Sequence, residues 1–353
     1  MPTLSYDIYA LILEWSYRIS QSQDVDYKTF SSCSLVCRDW TPLSQRFLFR
    51  RIRYDCRRKD LLSVIRSKPV LGAYVRSATL KAGDIQCSLA QFADVLRICP
   101  GVLNIDFDSP LMDGPLLERH LGAVDVHPTH LTICGDATAV GTLLKLWPSV
   151  RYLSTQGVWL QKDPLLEALS GSLQHVRILD SALLHWPERH KLPAWLLSFG
   201  GERSSLRSLE IEGNQPATLD FNGLLAKHSL DHIRSLTITD LPTQNVLNKL
   251  TNLEELILLA FPTLEKRALP STLRHFGYHA DLQEDFGWPD EASAEQLSWA
   301  LCRLQDLRFV STTHRAIPQV YLDSLKDACL GRVEFVIYPD RHSFFRARNV
   351  DWI

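Results

Sequence analysis

The chain has 353 residues, of which 45% are hydrophobic and 22% are charged, a composition typical of folded globular proteins and not of disordered ones. This length predicts more than one domain, or one extended repeat array. The formal net charge of −2 excludes a global field that would collect nucleic acid or an anionic membrane, so any such binding would have to be local.

The N-terminal sequence MPTLSYDIYALILEW has no basic region before its apolar run and carries Asp7 and Glu14, so it does not predict a secretory signal. No apolar stretch of the sequence reaches the length of a membrane span. The eight cysteines are scattered and never form a Cys-x-x-Cys pair, which is typical of reduced thiols. These features predict a protein of the cytosol, the nucleus or both that binds no membrane.

The first fifty residues predict three short helices. In the first helix, Ile8, Leu11, Ile12 and Trp15 recur at the spacing of one helix face. Ser5 precedes this helix and can cap it.

Cys33 and Cys37 lie on the predicted face of a second helix that begins at about Asp26, together with Phe30 and Trp40. A metal site would need further soft or imidazole ligands, and no histidine is near in the sequence. A redox pair would need an accessible, electropositive setting. Packing in a core is the favoured interpretation, because a free cysteine behaves as a small apolar residue.

A third helix is predicted after Thr41-Pro42, which is typical of an N-cap followed by proline at the first helical position. Leu35 and Val36 lie off the stripe of the second helix, and a helix that is apolar on several sides must bury several sides. A unit of roughly fifty residues has a small core, so its second apolar face is expected to rest on a partner or on the rest of the chain. The segment therefore predicts a docking module.

A family resemblance is carried by Leu4, Asp7-Ile8, Ile12-Leu13 and the segment SSCSLVCRDWTPLSQRFLFRRI, with its CSLVCR-W core followed by LF. With these residues, 4–53 resembles an F-box of the fungal F-box-like type. The family usually opens with Leu-Pro, whereas here Ser5 follows Leu4. The resemblance implies a module that binds the Skp adaptor of a Skp–cullin–F-box ubiquitin ligase. The adaptor-binding residues that it implies are Leu4, Ile8, Ile12, Leu35, Val36 and Trp40.

Beyond residue 55, apolar residues recur in an L-x-x-L-x-L arrangement. The clearest copies begin at Leu206, Ile233 and Leu253, which are 27 and 20 residues apart. Weaker copies begin at Val75, Val102, Leu131, Val150, Leu173, Leu273, Leu307 and Leu330. These spacings fit one strand plus one helix per repeat, the pattern of leucine-rich repeats. The array is degenerate, because only the copy at Leu206 carries the asparagine of the repeat consensus.

Alternating strands and helices are also typical of doubly wound or barrel enzymes. Their strands are buried on both faces and read as continuous apolar runs, whereas RSLEIEG and RSLTITD alternate between polar and apolar residues. The sequence therefore predicts a solenoid with parallel strands and one open, concave face. The residues predicted to line this face and to bind a target are Asp106, Asp108, Thr132, Ser154, Gln156, Arg177, Glu210, Glu212, Thr237, Thr239, Ile257, Leu259 and His279. Cys134 is also predicted to line this face.

Ile257 and Leu259 break the polar pattern of the predicted concave face. They are either an apolar anchor for a target or are covered by a loop or the C-terminal tail.

No phosphate-binding loop, dinucleotide-binding glycine motif, zinc-protease motif or serine-hydrolase motif occurs in the sequence. Neither a cofactor nor a metal is expected. The segment HPTH at His127–His130 is interpreted as a loop, because Pro128 disfavours regular structure there. The basic run from Arg46 to Lys59 is interpreted as a solvated face or a rim that complements the adaptor, because few aromatic residues interleave it for nucleic-acid binding.

The sequence thus predicts a mixed α/β protein of four parts. These are an F-box-like helical domain at 1–55, a connecting helix or linker at 56–74, a repeat array at 75–339 and a tail at 340–353. The tail either caps the last repeat or binds a partner. Its predicted function is that of a non-enzymatic substrate-recognition adaptor that joins a target protein to the Skp adaptor and the cullin scaffold. Two alternatives remain: a repeat-based binding protein with a vestigial F-box, and an enzyme on a β/α scaffold.

Overall fold

The computed structural model describes residues 6–20, 27–55, 60–81, 85–111, 114–159, 173–179, 205–212, 230–239, 241–259, 268–279, 291–313, 323, 326–327 and 332–339. The chain divides into two compact units, Met1–Ser154 and Thr155–Ile353. The predicted residue Leu4 and the tail at 340–353 lie outside the described residues.

The described part of the first unit alternates helices and strands. Its helices are α1 (Tyr6–Ser20), α2 (Tyr27–Cys33), α3 (Trp40–Leu48), α4 (Asp60–Ser67), α5 (Pro69–Tyr74), α6 (Ile85–Ile98), α7 (Gly114–Leu121) and α8 (Ala137–Leu146). Its strands are β1 (Arg51–Asp55), β2 (Ser77–Lys81), β3 (Asn104–Leu111), β4 (His130–Asp136) and the beginning of β5 (Tyr152–Trp159). Strands β1 to β4 pair in parallel, in the order of the chain.

One main-chain contact recurs at the start of these strands. The carbonyl of Arg50, just before β1, accepts hydrogen bonds from the N–H groups of Arg76 and Ser77 at the start of β2, with N···O distances of 2.8 and 3.0 Å. The carbonyls of Arg76, Leu103 and Thr129 each accept two successive N–H groups of the following strand in the same way. This repeated contact, which we call the carbonyl clamp, sets the strands in one register.

The core of the first unit lies between the strands and α6 to α8. On β3, Ile105 and Phe107 are buried, whereas Asp108 is exposed. Phe107 packs edge-on against Phe92 of α6, with 5.8 Å between ring centroids, and stacks with Trp147 at 6.5 Å. The L-x-x-L-x-L pattern therefore marks the core face of the parallel strands, as predicted.

The three N-terminal helices enclose a core of their own. Its buried members are Leu13, Tyr17, Phe30, Leu43 and Phe47. The core is largely aromatic: the rings of Phe30 and Phe47 lie 5.8 Å apart, and that of Tyr17 lies 5.4 Å from Phe47.

Strand β1 directly follows α3, so residues 51–55 belong to the sheet, whereas the sequence placed them in the helical domain. The guanidinium of Arg50 lies 5.3 Å from the ring centroid of Tyr17 in α1. Helices α4 and α5 occupy most of the predicted linker 56–74 and pack against α6. The helical module and the first strands of the repeat array therefore join without a described linker between them.

The described part of the second unit continues the repeat. Its strands are the end of β5, β6 (His175–Leu179), β7 (Ser208–Glu212), β8 (Ser235–Ile238), β9 (Glu255–Leu258), β10 (His275–Tyr278), β11 (Phe309–Thr313) and β12 (Glu334–Tyr338). Its helices are α9 (Gln244–Leu247) and α10 (Glu291–Cys302). Strands β6 to β12 pair in parallel and in chain order, with carbonyl clamps at Gln174, Arg207, Arg234, Glu254 and Arg274.

Replacement of Leu13 by alanine is expected to lower the free energy of unfolding by roughly 2–5 kcal/mol, because its side chain fills the three-helix core. The matched control is Leu11→Ala on the same helix, whose side chain is 64% exposed. This change is expected to alter the free energy of unfolding by less than about 0.5 kcal/mol. Urea unfolding of the full chain measures both, and equal destabilisation by the two variants would contradict the packing described here.

Candidate functional site

The outer face of α1 is apolar and exposed. Ile8, Leu11, Ile12 and Trp15 form the face that the sequence singled out, and all are exposed, Trp15 by 68%. The buried side of α1 carries Leu13 and Tyr17 instead. The spacing identified an apolar face correctly, but it is the face turned away from the module's core.

Leu35 and Val36 lie in the turn that follows α2, and both side chains are exposed, Leu35 by 83%. The turn is closed by main-chain hydrogen bonds from Leu35 to the Ser32 carbonyl and from Val36 to the Cys33 carbonyl, at 3.0 and 3.2 Å. The Thr41 hydroxyl donates to the Ser34 carbonyl at 2.8 Å and ties the turn to α3. We call Ile8, Leu11, Ile12, Trp15, Leu35 and Val36 the apolar patch.

The predicted stripe of the second helix is wrong beyond Cys33, where α2 ends. Hydrogen bonds between residues three apart tighten the chain there and turn it, so that Cys37 is exposed and Cys33 is half-buried. Trp40 begins α3 and packs on Tyr9 of α1, with 4.8 Å between ring centroids. Trp40 therefore supports the module from inside, unlike the exposed Ile8, Ile12, Leu35 and Val36.

The strand positions that alternate with the core residues form a polar face in each unit. In the first unit the register aligns Arg53, Thr79, Asp106 and Thr132 in one row across β1 to β4. Arg53 and Thr132 are exposed and Asp106 is half-buried. The predicted residues Asp108, Cys134 and Ser154 lie on this face and are exposed or half-buried, and Gln156 lies further along β5.

Asp106 lies half-buried in the row of polar side chains between Thr79 and Thr132. Burial raises the pKa of its carboxyl, and the neighbouring Asp108 carboxylate raises it further. A hydrogen bond from the Thr79 hydroxyl at 3.4 Å and the charges of Arg53 and Arg51 oppose that rise. On the next two strands, β4 and β5, the rings of His130 and Tyr152 stack with 4.2 Å between their centroids.

The polar face of the second unit is largely buried. Five of the predicted target-binding residues are buried there: Glu210, Thr237, Ile257, Leu259 and His279. Ile257 and Leu259 form an apolar cluster with Tyr338 of β12. The expected open face is therefore absent at these five positions, although Arg177, Glu212 and Thr239 remain half-buried.

The charges on β6 and β7 are paired with each other. Arg177 Nη2 lies 2.7 Å from Glu212 Oε1, and its Nε lies 3.3 Å from Glu210 Oε2. His175 Nε2 lies 3.7 Å from the other oxygen of Glu210. A buried carboxylate is costly unless it is paired, so this cluster holds β6 and β7 together and leaves little charge for a ligand.

A second polar cluster crosses β8 to β11. Glu255 accepts a hydrogen bond from the Ser235 hydroxyl at 2.5 Å, and its other oxygen lies 2.9 Å from His275 Nδ1. His275 Nε2 lies 2.7 Å from Ser311 Oγ, which also lies 3.0 Å from His279 Nε2. We call Glu255, His275, Ser311 and His279 the histidine–serine relay.

Sequence reasoning did not identify Glu255, His275 or Ser311 as site residues. Strand alternation places each of these residues on the polar face. Only the strand register shows that they are neighbours, because it pairs His275 with Glu255 on one side and with Phe309 on the other. Ser311 follows Phe309 by two residues and so lies on the same face of β11. Ser311 and His275 are 36 positions apart in the chain.

Carboxylate, histidine and hydroxyl follow one another in the relay as they do in serine hydrolases. Here the hydroxyl is enclosed: Ser311 is only 2% exposed. A Cβ atom at Gly277 would lie 3.0 Å from Ile257 Cγ1, 3.0 Å from Ser311 Oγ and 3.1 Å from His279 Nε2. The side chains of neighbouring strands therefore fill the space above Gly277, and a substrate carbonyl has no room beside Ser311.

Other candidate ligand groups do not converge. In the described parts of the chain, no group of three or more His, Cys, Asp or Glu side chains could hold a metal ion. His127 is exposed near Asp125 on a loop. Burial raises the pKa of the Cys99 thiol to about 12, far from that of a reactive thiolate.

None of the helices described is long and apolar enough to cross a membrane.

No protein-family model matches the sequence, and no curated protein matches it. Among solved structures, the chain is similar to TLR13 in a complex with ssRNA13, at 11% identity and a TM-score of 0.42, with 83% of this chain and 44% of that chain covered. It thus spans less than half of that chain. It is also similar to a protein from Bacteroides fragilis, at 13% identity and a TM-score of 0.39, with 82% and 73% covered. The repeat architecture rests on the strand pairing of this chain and not on these weak likenesses.

Ser311 is expected to stay unlabelled when the native full chain is treated with a fluorophosphonate probe, because its hydroxyl is enclosed by neighbouring strands. Peptide mass spectrometry checks this, with a serine esterase as the positive control. Labelling of Ser311 that disappears in Ser311→Ala would reveal an accessible nucleophile and would favour an enzyme over a binding protein.

Proposed function

We propose that this protein is a substrate-recognition adaptor of a Skp–cullin–F-box ubiquitin ligase. The observation that carries the proposal is the apolar patch, in which six large apolar side chains of α1 and the 35–36 turn are exposed on one small helical module. A patch of this kind marks an interaction site, because water contact with so many apolar side chains is unfavourable. The F-box resemblance of 4–53 implies the Skp adaptor as the partner.

Within this proposal, each part of the apolar patch has a role. Ile8 and Ile12 present an apolar ridge on α1, and Leu35 and Val36 present exposed apolar side chains in the turn after α2. Trp40 acts indirectly: it packs on Tyr9 and holds α1 and α3 in place, so it positions the patch. Leu4 belongs to the proposed surface on the strength of the resemblance alone.

The target protein would bind the polar face of the first unit. That face offers exposed charges of both signs, from Arg53 and Lys81 to Asp108, and the stacked pair of His130 and Tyr152. A mixed charged and aromatic surface suits a specific protein contact. The protein would contribute no catalytic group of its own and would act by proximity, raising the effective concentration of a target lysine near the ligase.

The second candidate is a repeat-based binding protein whose helical module no longer serves a ligase. The observation that favours it is Ser5, which stands where the F-box family usually has proline. In that case the polar face of the first unit would still bind a protein, while the Skp adaptor would not recognise the apolar patch.

Purified full-length protein is expected to co-elute with a purified Skp adaptor in size-exclusion chromatography. The double change Ile12→Glu and Leu35→Glu is expected to weaken this binding by at least about tenfold, because two charges would be buried in an apolar contact. Both side chains are exposed, so the change should leave the fold intact.

The matched control is Val70→Glu, which changes an exposed apolar residue of the same unit outside the apolar patch. This variant is expected to bind like the native protein. A native chain that fails to co-elute while a standard F-box protein does so in parallel would reject the ligase role and leave the second candidate.

A further inference from the structure

Strand β12 forms the last edge of the described sheet, where it pairs with β11 alone. The Glu334 N–H donates to the Arg308 carbonyl, just before β11, at 2.8 Å. The main-chain groups of successive residues point to opposite sides of a strand, so those of Glu334 and Val336 face β11. The N–H and C=O groups of Phe335 and Ile337 therefore point to the opposite side, along the outer edge of β12.

The core row of the second unit is less closed at β12 than on the strands before it. Phe335 continues the row of Val310 on β11 and Phe276 on β10, and these two side chains are at most 3% exposed. Phe335 itself is only half-buried, and so is Ile337, two residues further on the same face. Packing another strand against β12 would remove both large apolar side chains from water, which is favourable.

The composition of β12 does not protect its outer edge from pairing. Edge strands of folded proteins are usually blunted by charged residues or proline. The first strand of the sheet, β1, follows this rule and carries Arg51, Arg53 and Asp55. Strand β12 reads EFVIY and has one charge, Glu334 at its first position. Its outer edge is therefore suited to pair with a further strand.

The sequence of β12 is complementary to itself. Two copies of one edge are brought together by a two-fold axis, which makes the two strands antiparallel. With the axis at Val336, Phe335 of each copy lies opposite Ile337 of the other, and each such pair can exchange two main-chain hydrogen bonds. The same register places Glu334 opposite Tyr338, so the two Glu334 carboxylates lie at opposite ends of the contact and do not repel each other.

Neighbouring registers fit less well. An axis at Ile337 would place Pro339 opposite Phe335, and proline has no N–H to donate. An axis at Phe335 would place Ile337 opposite Val333, which lies before the strand, and would leave part of each strand without a strand partner. The axis at Val336 pairs all five residues of both strands.

We propose that β12 joins two copies of this chain through an antiparallel strand pair centred on Val336. The pair continues the sheet from one copy into the other and covers Phe335 and Ile337. Because the contact is short, dimer and monomer are expected to exchange, with the dimer favoured at high concentration. The residues of the contact lie in the second unit and none belongs to the apolar patch, so this proposal is independent of the ligase function.

Sedimentation equilibrium of the native full chain tests whether the dimer forms. Between about 1 and 200 μM, the average mass is expected to rise from that of one chain, 40.2 kDa, toward twice that value. Ile337→Pro is expected to stay monomeric over this range, because proline removes an outward N–H that β11 does not use and is tolerated on edge strands. The matched control is Ile337→Val, which keeps this N–H and a β-branched side chain and should dimerise like the native chain.

Cysteine substitution tests the register. In the proposed pair the two Val336 residues form a non-hydrogen-bonded pair, with Cα atoms about 4.5 Å apart, close enough for a disulfide. Mild oxidation of Val336→Cys is expected to link two chains through the introduced thiols, which peptide mass spectrometry identifies. Glu334→Cys is the matched control: the side chain at this position is more exposed, but its two copies would lie roughly 13 Å apart and should not link.

An average mass that stays at that of one chain up to about 200 μM would overturn the proposal. A dimer that persists in Ile337→Pro, or one in which Glu334→Cys links as readily as Val336→Cys, would also overturn it, because the two chains would then meet elsewhere. The mass of the native chain decides the first point even if a variant does not fold.

Discussion

The structure depends on the carbonyl clamp, the contact in which one carbonyl accepts two successive N–H groups of the following strand. It recurs from Arg50 in the first unit to Arg274 in the second, whatever the length of the segment between the strands. Because it fixes where each strand begins, equivalent side chains stand side by side on neighbouring strands. Parallel strands with variable connections therefore still form aligned rows, and these rows create both the core and the polar faces.

The two polar faces arise from the same alternation but have different physical properties. In the first unit the rows carry charged and hydroxyl side chains that reach water, such as Arg53, Thr132 and Asp108. In the second unit the rows place Ile257 beside Gly277, and the missing side chain of the glycine leaves space for its neighbours. An array of similar repeats can thus provide a partner surface in one unit and a sealed polar cluster in the other.

Local sequence patterns predicted the strands well. The alternation of apolar and polar side chains along a strand, and the apolar residue before it, depend only on a few adjacent residues, so the sequence alone shows them. They predicted the second helix poorly, since its end at Cys33 depends on how the turn packs on α3 through Thr41. They also could not tell which of two apolar faces of α1 is buried. The relay of His275 and Ser311 was inaccessible to such patterns, because the contact exists only once strand register is known.

We propose that the apolar patch recruits a ligase while the repeats hold a target. Affinity purification from cell extract, read by mass spectrometry, tests it most directly when the native chain is compared with the Ile12→Glu, Leu35→Glu double variant. We expect the Skp adaptor and cullin only with the native chain, and we expect both samples to retain a further set of proteins. Absence of adaptor and cullin from both samples, with the further set still bound, would contradict the ligase role.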